Sequence, residues 1–272
     1  MAKIIPKKSN GPKKASSKSI LSKIKPVGDI ESQLTMLCYG KAGTGKTVFG
    51  CSFPKPLLLI DIKEKGHESI LDVEGVDLLP VEKWSELEEI YWELKGGTKY
   101  KSIVLDQLTS MQALAMAKIR EDKGVGAEEV ISQRAWGQIS GLMQTWLYNF
   151  RELYSDGYHI CFNAHERLRE PQEENDERIA PSVGSNLMQS VASFANGMVS
   201  VIGNTFIREH EVEKKKYEIQ FCMRVGPHAY YAAKIRRPVS AGPAPGIIVN
   251  PSFDKVMKIS RGESLNRTIK RK

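Results

Sequence analysis

The most constraining stretch of this 272-residue chain is Gly40-Lys41-Ala42-Gly43-Thr44-Gly45-Lys46-Thr47. It follows the pattern G-x-x-x-x-G-K-[ST], and the chemistry of anion binding explains the spacing. Gly43 and Gly45 open backbone conformations closed to other residues, so successive N–H groups can turn inward around a phosphate. A following helix adds the positive end of its dipole. The Lys46 ammonium can reach the outer phosphates of a nucleotide, and the Thr47 hydroxyl can bind Mg²⁺. The flanks agree. Residues 34–39 (LTMLCY) form an apolar run suited to a buried parallel strand, and residues 47–51 read as the first turns of a helix.

Further apolar runs end in polar side chains. Residues 56–60 (PLLLI) lead to Asp61, and residues 102–105 (SIVL) lead to Asp106. Ligands gather at the carboxyl ends of the strands of an open parallel sheet, so Asp106 is the candidate partner of Thr47 in holding Mg²⁺. Residues 158–162 end in Asn163-Ala164-His165-Glu166, where Asn163 and His165 are candidates to sense the terminal phosphate. Residues 76–81 predict a short strand. Residues 84–94 place Trp84, Leu87, Tyr91 and Leu94 on one helical face, and helices are also expected over 108–120 and 133–153. Strands and helices alternating around a glycine loop imply an α/β fold, with a mostly parallel central sheet and helices on both faces. The downstream expectation is a long polar loop over 167–184, a helix over 186–194 and a strand over 197–202. A C-terminal β-hairpin of 205–210 with 217–223 follows. A strand over 230–238 ends in Lys234, Arg236 and Arg237, and 247–249 forms a last short strand.

The net charge of +8 is concentrated in one segment. Residues 1–28 hold eight lysines and no acid, and the remainder carries 32 basic and 32 acidic side chains. Interleaved Pro, Ser and Gly leave that arm too little apolar surface to bury. It reads either as a holder of nucleic-acid phosphates or as a solubilising tail. The expected organisation is a disordered arm over 1–28, a catalytic domain over 29–260 and a flexible basic tail over 261–272. Four widely spaced cysteines without a C-x-x-C read as reduced core thiols. Five scattered histidines give no zinc spacing. No apolar run reaches the length of a membrane span and no signal-peptide core is present, so the expected location is the cytoplasm, with no membrane partner.

In this order the motifs resemble the RecA-like P-loop NTPase core, and more closely the phage-encoded RecA-type nucleotide-binding proteins that include single-strand annealing recombinases. The carriers are residues 39–47, Phe53-Pro54-Lys55-Pro56-Leu57-Leu58-Leu59, Tyr100 through Asp106, Asn163 through Glu166, and Ala233-Lys234-Ile235-Arg236-Arg237-Pro238. The resemblance implies an ATPase using ATP and Mg²⁺, assembled as a homo-oligomeric ring or filament. Its partners would be single-stranded DNA and a single-strand DNA-binding protein, in the cytoplasm of a bacterial host. It implies mobile DNA-binding loops near 167–184 and 121–134, and assigns Lys234 and Arg236 to the γ-phosphate of a neighbouring subunit. Where the family carries a water-activating Glu, this chain has Lys63 followed by Glu64. Asp61 and Glu64 are therefore both candidates, and a weak ATPase is expected. Residues 166–178 hold six acids against three arginines, which repels a phosphate backbone and leaves the lysine arm to supply the attraction. The competing readings are a nucleotide-gated adaptor with little hydrolysis, a partition-type ATPase, and a helicase or packaging motor. No N-K-x-D guanine signature occurs.

If the arm carries DNA attraction, deleting residues 1–28 flattens the salt dependence of single-strand binding by about 0.7 in log–log slope for each lysine engaged. An unchanged slope in a salt titration would assign the arm to solubility alone.

Overall fold

The computed structural model describes residues 24–26, 33–169, 182–213 and 216–265. The chain divides into two units, Met1–Ser32 and Gln33–Lys272. Most of the expected arm and the end of the expected tail lie outside the described residues.

Within Gln33–Lys272 the phosphate-loop strand, β1 (Thr35–Gly40), lies near the middle of a ten-stranded sheet. The other parallel strands are β2 (Leu57–Ile62), β3 (Val76–Val81), β4 (Ser102–Asp106), β5 (His159–Arg169) and β7 (Val201–Glu213). They run in the spatial order β7-β1-β5-β4-β2-β3. Antiparallel β8 (Lys216–Arg224) and β10 (Ile247–Val249) extend the sheet beyond β7. The short β6 (Ser182–Ser185) pairs with the end of β5, and β9 (Lys234–Ile235) pairs with the start of β7. β5 is therefore inserted between the glycine-loop strand and the Asp106 strand. Register brings the strand ends level, with Gly40 opposite His165 and Asp61 opposite Asp106.

β1, β2 and β4 are buried along their whole length, as near-continuous apolar runs require. Their period of two sends alternate side chains to opposite faces. Leu37, Tyr39, Ile60, Leu105 and Phe162 pack on one face under four helices: α2 (Trp84–Lys95), α3 (Leu108–Lys123), α4 (Gln133–Glu152) and α5 (Gln189–Met198). Met36, Cys38, Leu59, Val104 and Cys161 pack on the other, under α1 (Lys46–Gly50) and α6 (Phe253–Ser260). All four cysteines are buried and unpaired by disulfides. The thicker side is locked by Tyr91 edge-on to Trp146, centroids 5.5 Å apart. The thinner side is locked by Phe53 against Phe253 at 4.8 Å, and by the Phe253 N–H, which donates to the Ser52 hydroxyl at 2.9 Å. The last helix thereby braces the segment just after the phosphate loop.

Several sequence expectations are corrected. β5 runs to Arg169 and turns back through β6, so the ends of the expected 167–184 loop are a hairpin and residues 170–181 lie outside the described residues. Gly197 lies inside α5, and the separately expected strands over 197–202 and 205–210 are one strand, β7. The expected strand over 230–238 shrinks to Lys234–Ile235, paired with Val201 and Ile202, and a single bridge from Tyr231 to Val183. Helix α6 had not been anticipated. Its signals are Ser252, whose hydroxyl accepts from the Lys255 N–H, and the i, i+3, i+6 spacing of Phe253, Val256 and Ile259.

Leu105 is fully buried in β4, one residue before Asp106. Leu105→Ala is expected to cost about 2–5 kcal/mol in urea unfolding, as a cavity the crossed layers cannot close.

Candidate nucleotide site

The glycine loop leaves β1 under tight steric control. A Cβ on Gly40 would stand 2.4 Å from the Thr205 carbonyl oxygen of β7, so only glycine permits this approach. Gly43 and Gly45 take φ of 76° and 82°, as expected for a backbone curled around an anion. The Thr44 hydroxyl donates to the Lys41 carbonyl at 2.8 Å and pairs with the Thr205 hydroxyl at 2.7 Å, tying the loop to β7. Helix α1 spans only five residues, so its dipole is small and the loop N–H groups and Lys46 supply most of the positive field.

Lys46 is 8% exposed, and its ammonium donates to the carbonyls of Gly40 (3.1 Å) and Lys41 (2.9 Å). Burial pulls its pKa below the usual lysine value, against Asp106 and Glu64, which favour the charged form. The Thr47 hydroxyl donates to Asp106 Oδ2 at 2.6 Å. Burial raises the Asp106 pKa, while Thr47, the neighbouring Asn163 amide and Lys46 act in the opposite sense. A buried carboxylate beside a hydroxyl, at the mouth of an anion loop, fits Mg²⁺. Among the described residues no cluster of three His, Cys, Asp or Glu could hold a metal by itself. Thr47 and Asp106 would hold the ion together with phosphate oxygens, and the ion would neutralise charge developing there.

Lys46, Thr47, Asp106, Glu64, Gln107 and His165 line one cavity of about 400 Å³. Glu64 accepts from the Ser110 hydroxyl at 2.6 Å, and its other oxygen lies 3.8 Å from His165 Nε2. Gln107 Nε2 lies 2.5 Å from the same ring nitrogen. The structure thus separates the two candidate carboxylates. Asp61 is absent from the cavity lining; it is 6% exposed, and Oδ1 accepts the backbone N–H groups of Glu64 (2.9 Å) and Lys65 (3.1 Å). It holds a turn in which Lys63 and Lys65 take left-handed φ values of 61° and 53°, and that turn presents Glu64 to the cavity.

Four other candidates lie elsewhere. Asn163 is fully buried and absent from the cavity lining. Lys41 faces a second cavity of about 240 Å³, on the β7 side of the loop, with Glu166, Asn204 and Arg224. Lys234 stands opposite Ile202, itself opposite Leu37, in the first half of β1 and away from the loop. Its ammonium donates to the Asn196 carbonyl at 2.5 Å, and Arg236 Nη2 donates to the Gly197 carbonyl at 3.1 Å. In their own subunit both cations cap the C-terminus of α5. Gln107, Ser110 and Phe221 went unnoticed in the sequence. Ser110, one helical turn beyond Asp106, could have been found from spacing; Phe221 is brought in by β8 from more than 170 residues beyond Gly45, without a local signal.

The family model described as an AAA domain matches residues 32–237. The chain belongs to that family. As an AAA domain with an intact phosphate loop, it is a nucleotide-binding P-loop ATPase domain built on an α/β core with a mostly parallel sheet. Among solved structures it is similar to the flagellar accessory protein FlaH from Methanocaldococcus jannaschii. The identity is 11% and the TM-score 0.42, over 83% of this chain and 93% of that one. No curated protein matches the chain. Among the described residues no helix is long and apolar enough to cross a membrane.

The raised pKa of Asp106 has a definite sign. The folded state binds this proton more tightly than the unfolded state, so stability falls as pH rises from about 4 through the folded-state value. Above that value the ligand-free AAA domain carries a destabilising carboxylate. Asp106→Asn is expected to raise its melting temperature by a few degrees, about 1 kcal/mol, and to abolish the further rise that Mg²⁺ and ATP give the native chain. A melting temperature lowered by the substitution would refute this assignment.

Proposed function

We propose that this ATPase hydrolyses ATP slowly, with Glu64 as the base, and couples turnover to single-stranded DNA in a recombination reaction of the annealing type. The observation that carries the hydrolytic part is the meeting of Glu64 and His165 over the cavity that holds Lys46, Thr47 and Asp106. Lys46 binds the outer phosphates and Thr47 with Asp106 orients the cation. Glu64, oriented by Ser110, accepts the proton of the attacking water. A carboxylate at that place favours hydrolysis over the nucleotide-gated adaptor, which needs none.

The coupling part is supported by chain continuity. His165 and Gln107 face the place of the terminal phosphate, and β5 continues from His165 to Arg169 into the hairpin with β6. The resemblance implies a DNA-binding loop over residues 167–184, which this hairpin begins and ends, with the lysine arm supplying the phosphate attraction that the acidic loop lacks. His165 lies two residues before that loop, so a shift at the phosphate has a short path to it. In a ring or filament a neighbouring subunit contributes a cation to the phosphates. Arg236 suits this better than Lys234, because Arg236 is exposed, whereas burial lowers the Lys234 pKa and its ammonium is held by Asn196.

The test is ATP hydrolysis by the full chain with and without single-stranded DNA. Glu64→Gln should keep ATP binding and lose at least about 100-fold in turnover, and Lys46→Ala should lose both. DNA should stimulate the native chain. Hydrolysis that survives Glu64→Gln would refute the base. Hydrolysis indifferent to DNA would refute the coupling and leave an ATPase acting on another partner.

A further inference from the structure

The cavity at the phosphate loop has two chemistries. One wall is the polar set already described. The other is apolar, and its largest members are Phe221 and Val48. Both are substantially exposed, 43% for Phe221 and 49% for Val48, although each borders a deep polar pocket. Phe221 touches the loop itself, since a Cβ on Gly45 would stand 3.2 Å from the ring. The ring belongs to β8, at the root of the β7–β8 hairpin, where its ladder partner is Ile207. That pairing fixes its face of the ribbon, because directly opposed residues in an antiparallel pair share a face. Phe221 is thus a rigidly mounted aromatic surface, close to the phosphate sites and left without a partner ring among the described residues.

We propose that Phe221, with Val48 beside it, is the platform on which the nucleotide base stacks. This rests on the loop holding a nucleotide and adds the residues that recognise its base. A planar base laid on the ring would remove both exposed apolar side chains from water while its phosphates lie in the glycine loop. Neither side chain has a hydrogen-bonding group, so the platform reads ring area rather than base edges. Purines gain over pyrimidines, and adenine and guanine nucleotides bind alike at this wall.

The experiment compares ATP, CTP and inorganic tripolyphosphate binding to the full chain by calorimetry, for the native protein, Phe221→Ala and Phe221→Trp. Phe221→Ala should weaken ATP about tenfold, bring it close to CTP, and leave tripolyphosphate unchanged. Phe221→Trp should keep native ATP affinity, and its added fluorescence should change with ATP but not with tripolyphosphate. Equal weakening of ATP and tripolyphosphate in the alanine variant would overturn the proposal, because the ring would then only prop the loop. So would an unchanged ATP affinity, or an indole whose fluorescence ignores ATP. Failure of the native chain to bind ATP and tripolyphosphate alike would instead remove the nucleotide reading underneath, so the two failures are distinguishable.

Discussion

The hydrogen bond from Thr47 to Asp106 joins the two halves of the nucleotide site across an intervening strand. Thr47 sits at the start of α1, directly after the glycine loop, and Asp106 ends β4, two strands away from β1. The bond closes the gap over β5 and places a hydroxyl and a carboxylate side by side at the cavity floor. It is also a point of unrelieved cost, because burial disfavours the carboxylate and the hydroxyl and a buried lysine only partly offset it. A cation at this point would remove the penalty. Function and stability are opposed at one side chain, as expected where binding energy has to be gained on ligand arrival.

The surroundings keep that point in register. Four helices on one face and two on the other clamp the parallel strands, so their carboxyl ends cannot slide relative to one another. The contact of Gly40 with Thr205 fixes the loop's origin, and α6 reaches back to Ser52 to hold the segment that follows it. Asp61 does for the β2 end what the glycines do for β1. It ties down a strained turn, and the turn carries Glu64 to the cavity.

Much of this was legible in the sequence. The glycine loop, Lys46, Thr47 and Asp106 lie in local patterns with a period of two or a fixed motif spacing, and the fold class follows from the alternation of strands and helices. The choice between Asp61 and Glu64 was not legible. Three residues separate them, and only the left-handed turn decides which points inward. The β5–β6 hairpin was hidden because its polar residues lack a clean alternation, so it read as loop. Strand β9 was overextended because apolar residues near 230 look like a strand whether or not a ladder partner exists.

The sequence by itself determined an α/β nucleotide-binding domain and the side chains proposed to meet phosphate and cation, because those depend on neighbours within a few residues. Tertiary structure alone decided which side chains from distant segments share the cavity. His165, Gln107 and Phe221 arrive on three different elements, and Lys234 with Arg236 is carried to the cap of α5, away from the loop of its own subunit. The physical reason is that strand order and register set these meetings. Both are fixed by how a sheet buries its two faces, which no local stretch of residues encodes.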